Sequence, residues 1–376
     1  MKRIYIVVIN DLVTDQRAHR VAQTLHESGA SVILAGRRFS YSQAVDDREY
    51  STRRIRFIFN KGFLFYACFN FRLLCWLLIS PKGIIVSNDL DTLPACWLAS
   101  KIKGVPLIYD SHEYFTEVPE LVGRNFVRNF WLKIEKMLVP GLKYAYTVSV
   151  PIAEEYRKAY DVDFKVIRNL PYKLKHPIKR PDLLPCDPVR TIIYQGSLNP
   201  GRGLESMILS MRGLNEYRFQ IIGDGPQRSK LEGLVRENNL SDRIQFMGRI
   251  PLKELPALTA QASLGISLEE NIGRNYFYSL PNKLFDYIQA GIPVLVSGLP
   301  EMKRIVEKFN IGMVAVSNNP RDLAGIVEFM MQDEEQRMLW KKNLHFAAEE
   351  LCWENERGKL IEIYREAGLV ADQPGA

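Results

Sequence analysis

The chain has 376 residues, enough for about two or three domains of ordinary size. Apolar residues make up 47% and charged residues 25%, a balance that excludes a largely disordered chain. Lysine and arginine total 50 against 43 aspartates and glutamates, so the net charge is +7. This excess suits an anionic small molecule or an anionic membrane surface. No basic–aromatic binding module is present, so no nucleic acid partner is expected.

The five cysteines are scattered along the chain, and none of them forms a CxxC pair. This distribution argues against a disulfide framework and a zinc site, and it favours a reducing compartment. The N-terminal apolar run Ile4–Ile9 is too short for the core of a signal peptide and predicts a first buried strand. We therefore expect a cytoplasmic protein.

Short apolar runs alternate with amphipathic segments in both halves of the chain, a pattern typical of parallel sheets covered by helices. The strands predicted in the first half are Arg3–Ile9, Ser31–Ala35, Gly83–Ser87, Pro106–Tyr109, Ala145–Val150 and Phe164–Ile167. A helix over Asp15–Ser28 follows the first of them, and Gly29 ends it. The strands predicted in the second half are Thr191–Tyr194, Phe219–Ile222, Ile244–Phe246, Ala262–Ile266, Pro293–Val296 and Gly312–Ala315.

Five prolines crowd the segment between the two halves, and proline at this density continues neither a helix nor a central strand. The pattern predicts a first domain over 1–172, a linker over 173–189, a second domain over 190–352 and a final helix over 353–370, which it assigns to neither domain. The expected fold is α/β, with two Rossmann-like doubly wound domains facing a central cleft, where ligands bind at the carboxyl ends of the strands.

The segment Gly62–Ser80 (GFLFYACFNFRLLCWLLIS) is apolar enough to suggest a transmembrane helix. Arg72 near its centre argues against this, because a central arginine costs ~2.5–3.5 kcal/mol on insertion. We expect a helix buried against the sheet. The alternative is a surface helix dipping into an anionic membrane, since four basic residues precede it: Arg53, Arg54, Arg56 and Lys61.

Two glycine-rich turns follow strands of the second half. The first, YQGSLNPGRG, contains Gly196, Ser197, Gly201 and Arg202. Glycines let the backbone approach an anion closely, and the arginine adds a fixed positive charge, so this turn is a candidate phosphate site. The second, IIGDGP, contains Gly223 and Gly225 and is a candidate for making room for a nucleotide. For each turn taken alone, a plain strand-to-helix connection is the alternative.

The segment YSLPNKLFDYIQAGIPV predicts a helix that starts near Ser279 and ends at Gly291. Ser279 is the expected N-cap, and Pro281 suits the first turn. The amides near the helix start, with Lys283 beside them, are a candidate phosphate site, and Asp286 one turn later is a candidate for holding sugar hydroxyls. The alternative is a capped helix with solvated polar residues. The predicted binding residues of this segment are Ser279, Leu280, Pro281, Asn282, Lys283 and Asp286.

In the first half, His112 and Glu113 follow the strand PLIYD and are expected at the cleft. The loop after the first strand holds three further residues predicted on the acceptor side: Asp11, Asp15 and Arg17. The pair Asp89 and Asp91 has the spacing of a metal–diphosphate site. The residues after it indicate a helix start capped by Asp91, so no metal site is predicted.

These motifs together resemble the retaining nucleotide-sugar glycosyltransferases of the GT-B architecture, most closely family 4. The resemblance covers nearly the whole chain, and it implies an acceptor-binding domain over 1–172, a donor domain over 190–352 and a final helix that crosses back to the first domain. In order, it rests on SNDLDTLPA, GVPLIYDSHE, VIRNLP, YQGSLNPGRG, IIGDGP, RIQFMGRIP, PNKLFDYIQAGIPV and CWENERGKLIEIY.

The resemblance implies that Arg202 and Lys283 hold the donor diphosphate, that Gly196 lets the diphosphate approach the backbone, and that His112 lies near the transferred sugar. Asp286 takes the place of the glutamate that usually holds the ribose hydroxyls. Tyr278 stands where a second glutamate usually grips the donor sugar, and Ser197 stands where many members have arginine. Glu269 or Glu270 in the preceding loop are candidate substitutes for the missing glutamate.

The predicted function is transfer of a hexose from a nucleoside diphosphate sugar to a hydroxyl with retention of configuration, in the assembly of a cell-surface glycan or polysaccharide. The catalytic residues are then His112, Arg202 and Lys283, with no metal or other cofactor. The acceptor is expected to be a glycan or lipid-linked precursor at the inner face of the cytoplasmic membrane. The alternatives are a sugar-nucleotide epimerase and a non-catalytic sugar-nucleotide-binding partner.

Overall fold

The computed structural model describes residues 2–40, 42–57, 59, 62–118, 121, 123–174 and 190–369. The chain divides into two compact units, one of Met1–Asn169 with Glu356–Ala376 and the other of Leu170–Asn355. Most of the predicted linker, 175–189, and Lys61 lie outside the described residues.

The first unit is built on a parallel sheet that has seven strands within its described residues, in the order β3-β2-β1-β4-β5-β6-β7. The strands are β1 (Arg3–Asp11), β2 (Ser31–Arg38), β3 (Ser51–Arg56), β4 (Ile84–Asn88), β5 (Leu107–Ser111), β6 (Tyr144–Thr147) and β7 (Lys165–Val166). The accompanying helices are α1 (Gln16–Glu27), α2 (Phe63–Ile79), α3 (Leu93–Lys103), α4 (Asn125–Leu138) and α5 (Val150–Tyr160).

Strand β3 is absent from the sequence prediction, which treats its arginines only as a basic segment before a helix. Its sequence, STRRIR, shows no apolar alternation, and Ile55 is its one buried residue. The strand lies at the sheet edge, where charged side chains protect the exposed backbone from pairing with other chains. The predicted strand Ala145–Val150 is also too long, because α5 begins at Val150 with a proline in its first turn.

Helix α2 packs one face onto the sheet and leaves another face exposed. Phe65, Phe69 and Leu73 are buried with the side chains of β1, whereas Phe63 and Phe71 are 69% and 68% exposed. The expectation of a helix buried against the sheet is therefore met for one face, while the other face is exposed and its contact with a membrane stays a prediction. No helix in the described part of the chain combines the length and apolarity needed to span a membrane.

The second unit has a parallel sheet of six strands among its described residues, in the order β10-β9-β8-β11-β12-β13. The strands are β8 (Arg190–Gln195), β9 (Tyr217–Ile222), β10 (Ile244–Gly248), β11 (Leu264–Ser267), β12 (Val294–Ser297) and β13 (Gly312–Ala315). The helices are α6 (Leu204–Ser210), α7 (Arg228–Glu237), α8 (Leu255–Gln261), α9 (Arg274–Phe277), α10 (Asn282–Ala290), α11 (Pro300–Phe309), α12 (Pro320–Gln332) and α13 (Glu334–Glu350). The doubly wound α/β fold predicted for each half is confirmed.

The last helix, α14 (Trp353–Glu366), begins in the second unit, where the Trp353 amide donates to the Pro171 carbonyl at 2.8 Å. From Glu356 onward the chain belongs to the first unit, and the Tyr144 hydroxyl donates to the Glu366 carbonyl at 2.9 Å. The first unit ends at Asn169 rather than at the predicted residue 172, because Leu170 is buried in the apolar core of the second unit.

Candidate functional site

The glycine-rich turns of the second unit pack tightly on each other. A Cβ atom added to Gly223 would lie 1.8 Å from the carbonyl oxygen of Gly196, and one added to Gly225 would lie 2.7 Å from that of Leu198. Gly223 also has φ of 131°, which other residues rarely adopt. The fold itself therefore requires glycine at these two positions, whether or not they bind a donor. Donor binding by Gly223 and Gly225 remains a prediction.

The first glycine turn is held by hydrogen bonds of its own residues. The Tyr194 hydroxyl donates to the Ser197 carbonyl at 2.8 Å, and the Ser197 hydroxyl donates to Asn199 at 3.1 Å. Gly201 has φ of 75°, and a Cβ there would lie 2.6 Å from the side chain of Ile272. These contacts direct the turn so that Arg202, which follows it, points toward the end of β11.

Three charged side chains converge beyond the ends of β8 and β11. Lys283, in the first turn of α10, donates to Oε1 of Glu269 at 2.5 Å, and Arg202 Nη1 donates to the same oxygen at 3.3 Å. Ser267 donates to the other carboxylate oxygen of Glu269 at 2.6 Å. We call Arg202, Glu269 and Lys283 the donor cluster. Two cations share one carboxylate, so the cluster has one positive charge in excess.

Burial makes the charges of the donor cluster strongly interdependent. The Glu269 side chain is fully buried and that of Lys283 is 7% exposed. Burial lowers the pKa of Lys283 to about 8, while Glu269 opposes this effect. Burial alone would raise the pKa of Glu269, yet Lys283 and Arg202 overcome it and hold that pKa below its usual range. All three groups are therefore charged at neutral pH.

Aromatic rings fix the two cations of the cluster from the other side. The Lys283 ammonium lies 4.2 Å from the centroid of the Tyr194 ring, and the Arg202 guanidinium lies 4.8 Å from that of Tyr276. A Cβ on Gly196 would be 3.4 Å from Lys283 Cε, so the glycine turn borders the ammonium directly. The structure thus brings together three residues that the sequence predicts to contact a diphosphate: Arg202, Lys283 and Gly196.

Helix α10 begins later than predicted. Its N-cap is Pro281 in extended conformation (φ −62°, ψ 134°), and Asn282 is its first residue. Ser279 is not the cap, because its hydroxyl donates to the Tyr276 carbonyl at 2.9 Å and closes the turn after α9. The first-turn amides therefore start at Asn282, and Leu280 lies before the helix.

Asp286, predicted to hold sugar hydroxyls, accepts a hydrogen bond from Gln195 Nε2 at 2.8 Å. Thr259 in turn donates to Gln195 Oε1 at 2.7 Å, so the carboxylate of Asp286 is oriented from the end of β8. Tyr278, in the place of the family's other glutamate, follows α9 and contacts the Phe277 ring edge-on. Glu269 and Glu270 are the candidates to replace that glutamate, and of these Glu269 pairs with Lys283 and Arg202 in the donor cluster.

A second polar cluster lies in the first unit, beyond the ends of β4 and β5. His112 Nε2 is 2.9 Å from Asn88 Oδ1 and 3.1 Å from Asp110 Oδ2, and its amide donates to Asp89 at 2.8 Å. Arg17 donates through Nε and Nη2 to Asp110, with the shortest distance 2.8 Å. We call Arg17, Asp110 and His112 the histidine cluster.

The histidine cluster holds both of its acid–base groups in their charged forms. Burial disfavours the charged imidazole, but Asp110 and Asp89 prevail and raise the pKa of His112 to about 9. Arg17 and His112 likewise overcome the burial of Asp110 and lower its pKa to about 2. His112 is therefore protonated at neutral pH and donates hydrogen bonds rather than accepting protons.

The residues predicted on the acceptor side all have structural partners. Asp11 pairs with Arg54 at 3.0 Å, and the side chain of Asp15 caps α1 by accepting from the Ala18 amide at 3.0 Å. Arg17 is buried in the histidine cluster, and the Glu113 carbonyl accepts from the Ser111 hydroxyl at 2.8 Å. Contact of Asp11, Asp15, Arg17 and Glu113 with an acceptor stays a prediction.

Asp91 is not a helix cap, because Thr92 occupies the N-cap position of α3 without a side-chain cap. Burial, with Asp89 nearby, raises the pKa of Asp91 well above its usual range. Within the described ranges, no group of three or more His, Cys, Asp and Glu side chains is arranged to hold a metal ion.

Sequence reasoning missed the role of two carboxylates, Glu269 and Asp110. Asp110 lies near the end of the strand LIYDS, and Glu269 lies two residues beyond the end of the strand LGIS. An acidic residue at that position lies at the carboxyl edge of a parallel sheet, which is the signal that was available. Its cationic partner comes from a distant part of the chain, which the sequence does not show.

Comparison with known proteins agrees with this fold. Residues 176–345 match the model of the family described as glycosyl transferases group 1. An alpha-D-kanosaminyltransferase of Streptomyces kanamyceticus is 22% identical over 293 residues, 73% of this chain and 74% of that protein. A glycosyltransferase of Methanocaldococcus jannaschii is 25% identical over 174 residues, 46% of this chain and 47% of that protein, so the chain spans about half the length of this relative.

Two solved structures show the same fold over nearly all of both chains. Sucrose-phosphate synthase of Thermosynechococcus elongatus has a TM-score of 0.79 with 18% identity, covering 97% of this chain and 99% of that one. Anabaena HepE in complex with UDP-glucose has a TM-score of 0.73 with 15% identity, covering 97% and 100%. The chain therefore has a fold of the GT-B type, and its residues 176–345 match the model of the glycosyl transferases group 1 family.

Proposed function

We propose that the protein transfers a hexose from a nucleoside diphosphate sugar to a hydroxyl acceptor with retention of configuration, as in family 4. The observation that carries the proposal is the donor cluster, in which Lys283 and Arg202 meet beside Gly196 inside the group 1 domain. A buried cluster with excess positive charge next to a glycine turn suits a diphosphate. Because HepE binds UDP-glucose, UDP-sugars are the first donors to test.

In the proposed reaction, the bond between the sugar C1 and the β-phosphate oxygen breaks, and a bond from C1 to the acceptor oxygen forms on the same face. The acceptor proton passes to a donor phosphate oxygen, and the nucleoside diphosphate leaves. Lys283 and Arg202 stabilise the charge that develops on the diphosphate, and pre-aimed charges of this kind are usually the largest catalytic contribution. With these fixed cations, the proposed reaction requires no metal.

The protonated state of His112 defines its proposed role. As an imidazolium it donates a hydrogen bond to a hydroxyl of the transferred sugar, and it is not the base that activates the acceptor. This agrees with a reaction in which the donor phosphate takes the acceptor proton.

A donor screen tests the proposal. The protein is heated with UDP, GDP, ADP, dTDP and their common sugar conjugates, with and without EDTA. A bound ligand at a hundredfold excess over Kd stabilises the folded state by ~2.7 kcal/mol, so a selective rise in Tm unchanged by EDTA is expected. No rise with any of them would contradict the donor site.

Product analysis separates the proposed transferase from its rivals. A transferase releases nucleoside diphosphate only when an acceptor is present, apart from slow hydrolysis. An epimerase converts the donor to an epimeric sugar nucleotide without any acceptor. A non-catalytic partner binds the donor but forms no product with any acceptor. Acceptors for this assay are lipid-linked and free glycans of the kind expected in glycan assembly.

We also propose that the first unit binds the anionic inner face of the cytoplasmic membrane through α2 and α4. Phe126 is 87% exposed and Met137 is 71% exposed on α4, and the rings of Phe63 on α2 and Phe130 on α4 lie 6.1 Å apart. Exposed lysines, Lys133 and Lys136, stand on the same helix. Aromatic side chains beside basic ones are typical of helices that lie in a membrane interface.

Flotation with vesicles tests the membrane proposal. The protein is expected to float with phosphatidylglycerol vesicles at low salt and not with phosphatidylcholine vesicles. The K133Q/K136Q variant should lose about 2 kcal/mol of binding, roughly 30-fold in partition, since each basic residue near an anionic surface contributes ~1 kcal/mol. The matched control F346S removes an exposed phenylalanine of the second unit and should float normally. Equal flotation on both lipids would contradict the proposal.

A further inference from the structure

Glu269 has no role in the reaction as written above, yet it is the centre of the donor cluster. Its side chain is fully buried, and each of its oxygen atoms is occupied: Oε1 by Lys283 and Arg202, Oε2 by Ser267. A buried carboxylate at a site for an anionic ligand is unexpected, because it repels that ligand and competes for the same cations. Its presence therefore calls for a physical reason.

We propose that Glu269 is a positioning residue for the donor site: its carboxylate holds the Lys283 ammonium and the Arg202 guanidinium side by side, and charged, before the diphosphate arrives. The inference rests on the proposed function for the identity of the ligand. It goes beyond that function by assigning a part to a residue that touches neither the sugar nor the phosphates.

The reason lies in the repulsion between the two cations. Both donate to one oxygen atom, so they lie close together in a site that excludes most water. Arginine does not lose its proton in proteins, whereas a buried lysine does so readily. Without the carboxylate, the cluster would relieve its repulsion by deprotonating Lys283, and half of the charge that faces the diphosphate would be lost.

The other groups around Lys283 do not replace Glu269 in this role. Tyr194 of β8 presents its ring face to the ammonium, and Arg202 adds a second positive charge. Asp286, one turn along α10, is hydrogen-bonded to Gln195. Ser267 fixes the second oxygen of Glu269 and so aims the first oxygen at the cations.

The test measures the protonation of Lys283 directly, without any ligand. The protein is labelled with ¹³C-lysine, the Cε signal of Lys283 is assigned with K283R, and its shift is followed from pH 5.5 to 10. In E269Q the titration midpoint should fall by about one unit or more from its position near pH 8, since an opposite charge at this range shifts a pKa by ~1–3 units. In E269D, which retains a shortened carboxylate, the fall should be smaller.

The matched control is E301Q, which neutralises another buried carboxylate of the second unit, one paired with Arg304 on its own helix. It should leave the Lys283 midpoint unchanged. If E269Q does not fold, E269D alone tests the inference. A Lys283 titration midpoint in E269D equal to that of the wild type would then overturn it. An unchanged or raised midpoint in folded E269Q would overturn it as well.

A binding measurement adds a signature that a purely structural role would not produce. Calorimetric titration with UDP should show that E269Q binds at least as tightly as the wild type at a pH one unit below the Lys283 midpoint measured for E269Q, where Lys283 is charged in both and the repelling carboxylate is gone. At pH 8.5 it should bind more weakly, so the two affinity curves cross. Failure of the wild type to bind UDP, GDP, ADP or dTDP would contradict the proposed function, whereas parallel curves would contradict only the role of Glu269.

Discussion

We expect turnover to fall at least ~100-fold when either cation of the donor cluster is removed, as R202A or K283A, because in the proposed reaction each stabilises charge that develops on the leaving diphosphate. Loss of a single group that stabilises an oxyanion costs ~10²–10³ in kcat in well-studied enzymes, and the proposed reaction gives these two cations the corresponding role. The measurement is kcat at pH 7 with saturating donor, using the sugar nucleotide that the donor screen selects.

Two further variants make this result interpretable. K303A removes an exposed lysine on α11 that pairs with Glu307, and it should retain the turnover of the wild type. K283R keeps a positive charge but changes its shape, and it should recover part of the activity of K283A. Turnover of R202A or K283A within about threefold of the wild type, with the protein folded, would show that the diphosphate is held elsewhere.

The variant D110N should destabilise the first unit by about 3–5 kcal/mol, the range for removing one partner of a buried ion pair. Asp110 is fully buried and is the counter-charge of Arg17, whose guanidinium is also buried and donates in addition to the Ile167 carbonyl at 2.9 Å. The substitution thus leaves an uncompensated positive charge in the core. Urea denaturation at pH 6, followed by tryptophan fluorescence, measures the change in the free energy of unfolding.

The control D163N removes an exposed carboxylate that pairs with Lys165 in the same unit, and it should change the free energy of unfolding by less than about 1 kcal/mol. Replacing both partners, as R17L/D110L, should recover part of the stability, because no buried charge of the pair remains. If D110N lowers the free energy of unfolding no more than D163N does, water reaches the pair of Arg17 and Asp110, and the prediction is wrong.

The same cluster makes stability depend on pH in a stated direction. The folded-state pKa of His112, about 9, is above its unfolded value of 6.5, so its contribution is complete below pH 6.5 and disappears as the pH rises through 9. The pKa of Asp110, about 2, is below its unfolded value, so its contribution is present above about pH 4 and disappears as the pH falls through 2. The wild type should therefore lose stability between pH 6.5 and 9.5, and D110N should lose much less over that range.

The predicted helix after Tyr278 is confirmed, but its predicted first residues are wrong. Lys283 was expected beside a helix start, and it is in the first turn of α10, but the helix begins at Asn282 and Ser279 closes the preceding turn instead. Propensity favours serine as a cap wherever it stands near a helix. It does not reveal the short helix α9, whose end requires the Ser279 hydroxyl.

The local sequence pattern was sufficient to predict the doubly wound fold of both halves and most of the strands. The reason is that parallel strands buried on both faces are continuous apolar runs, which are visible in the sequence. The pattern was also sufficient for the glycosyltransferase resemblance, since the glycine turns and the α10 segment occur in order. Strand β3 escaped prediction because an edge strand needs few apolar residues.

The charge relations were decided by the tertiary structure alone. Arg17 and Asp110 are 93 residues apart in the chain, and Arg202 and Glu269 are 67 apart, so no local pattern connects them. The pKa of a side chain depends on burial and on the charges around it, and both arise only when distant strands place their ends at one edge of a sheet. For that reason the sequence identified His112, Arg202 and Lys283 as residues of interest, while the fold determined that a buried carboxylate, Asp110 or Glu269, lies beside each of them.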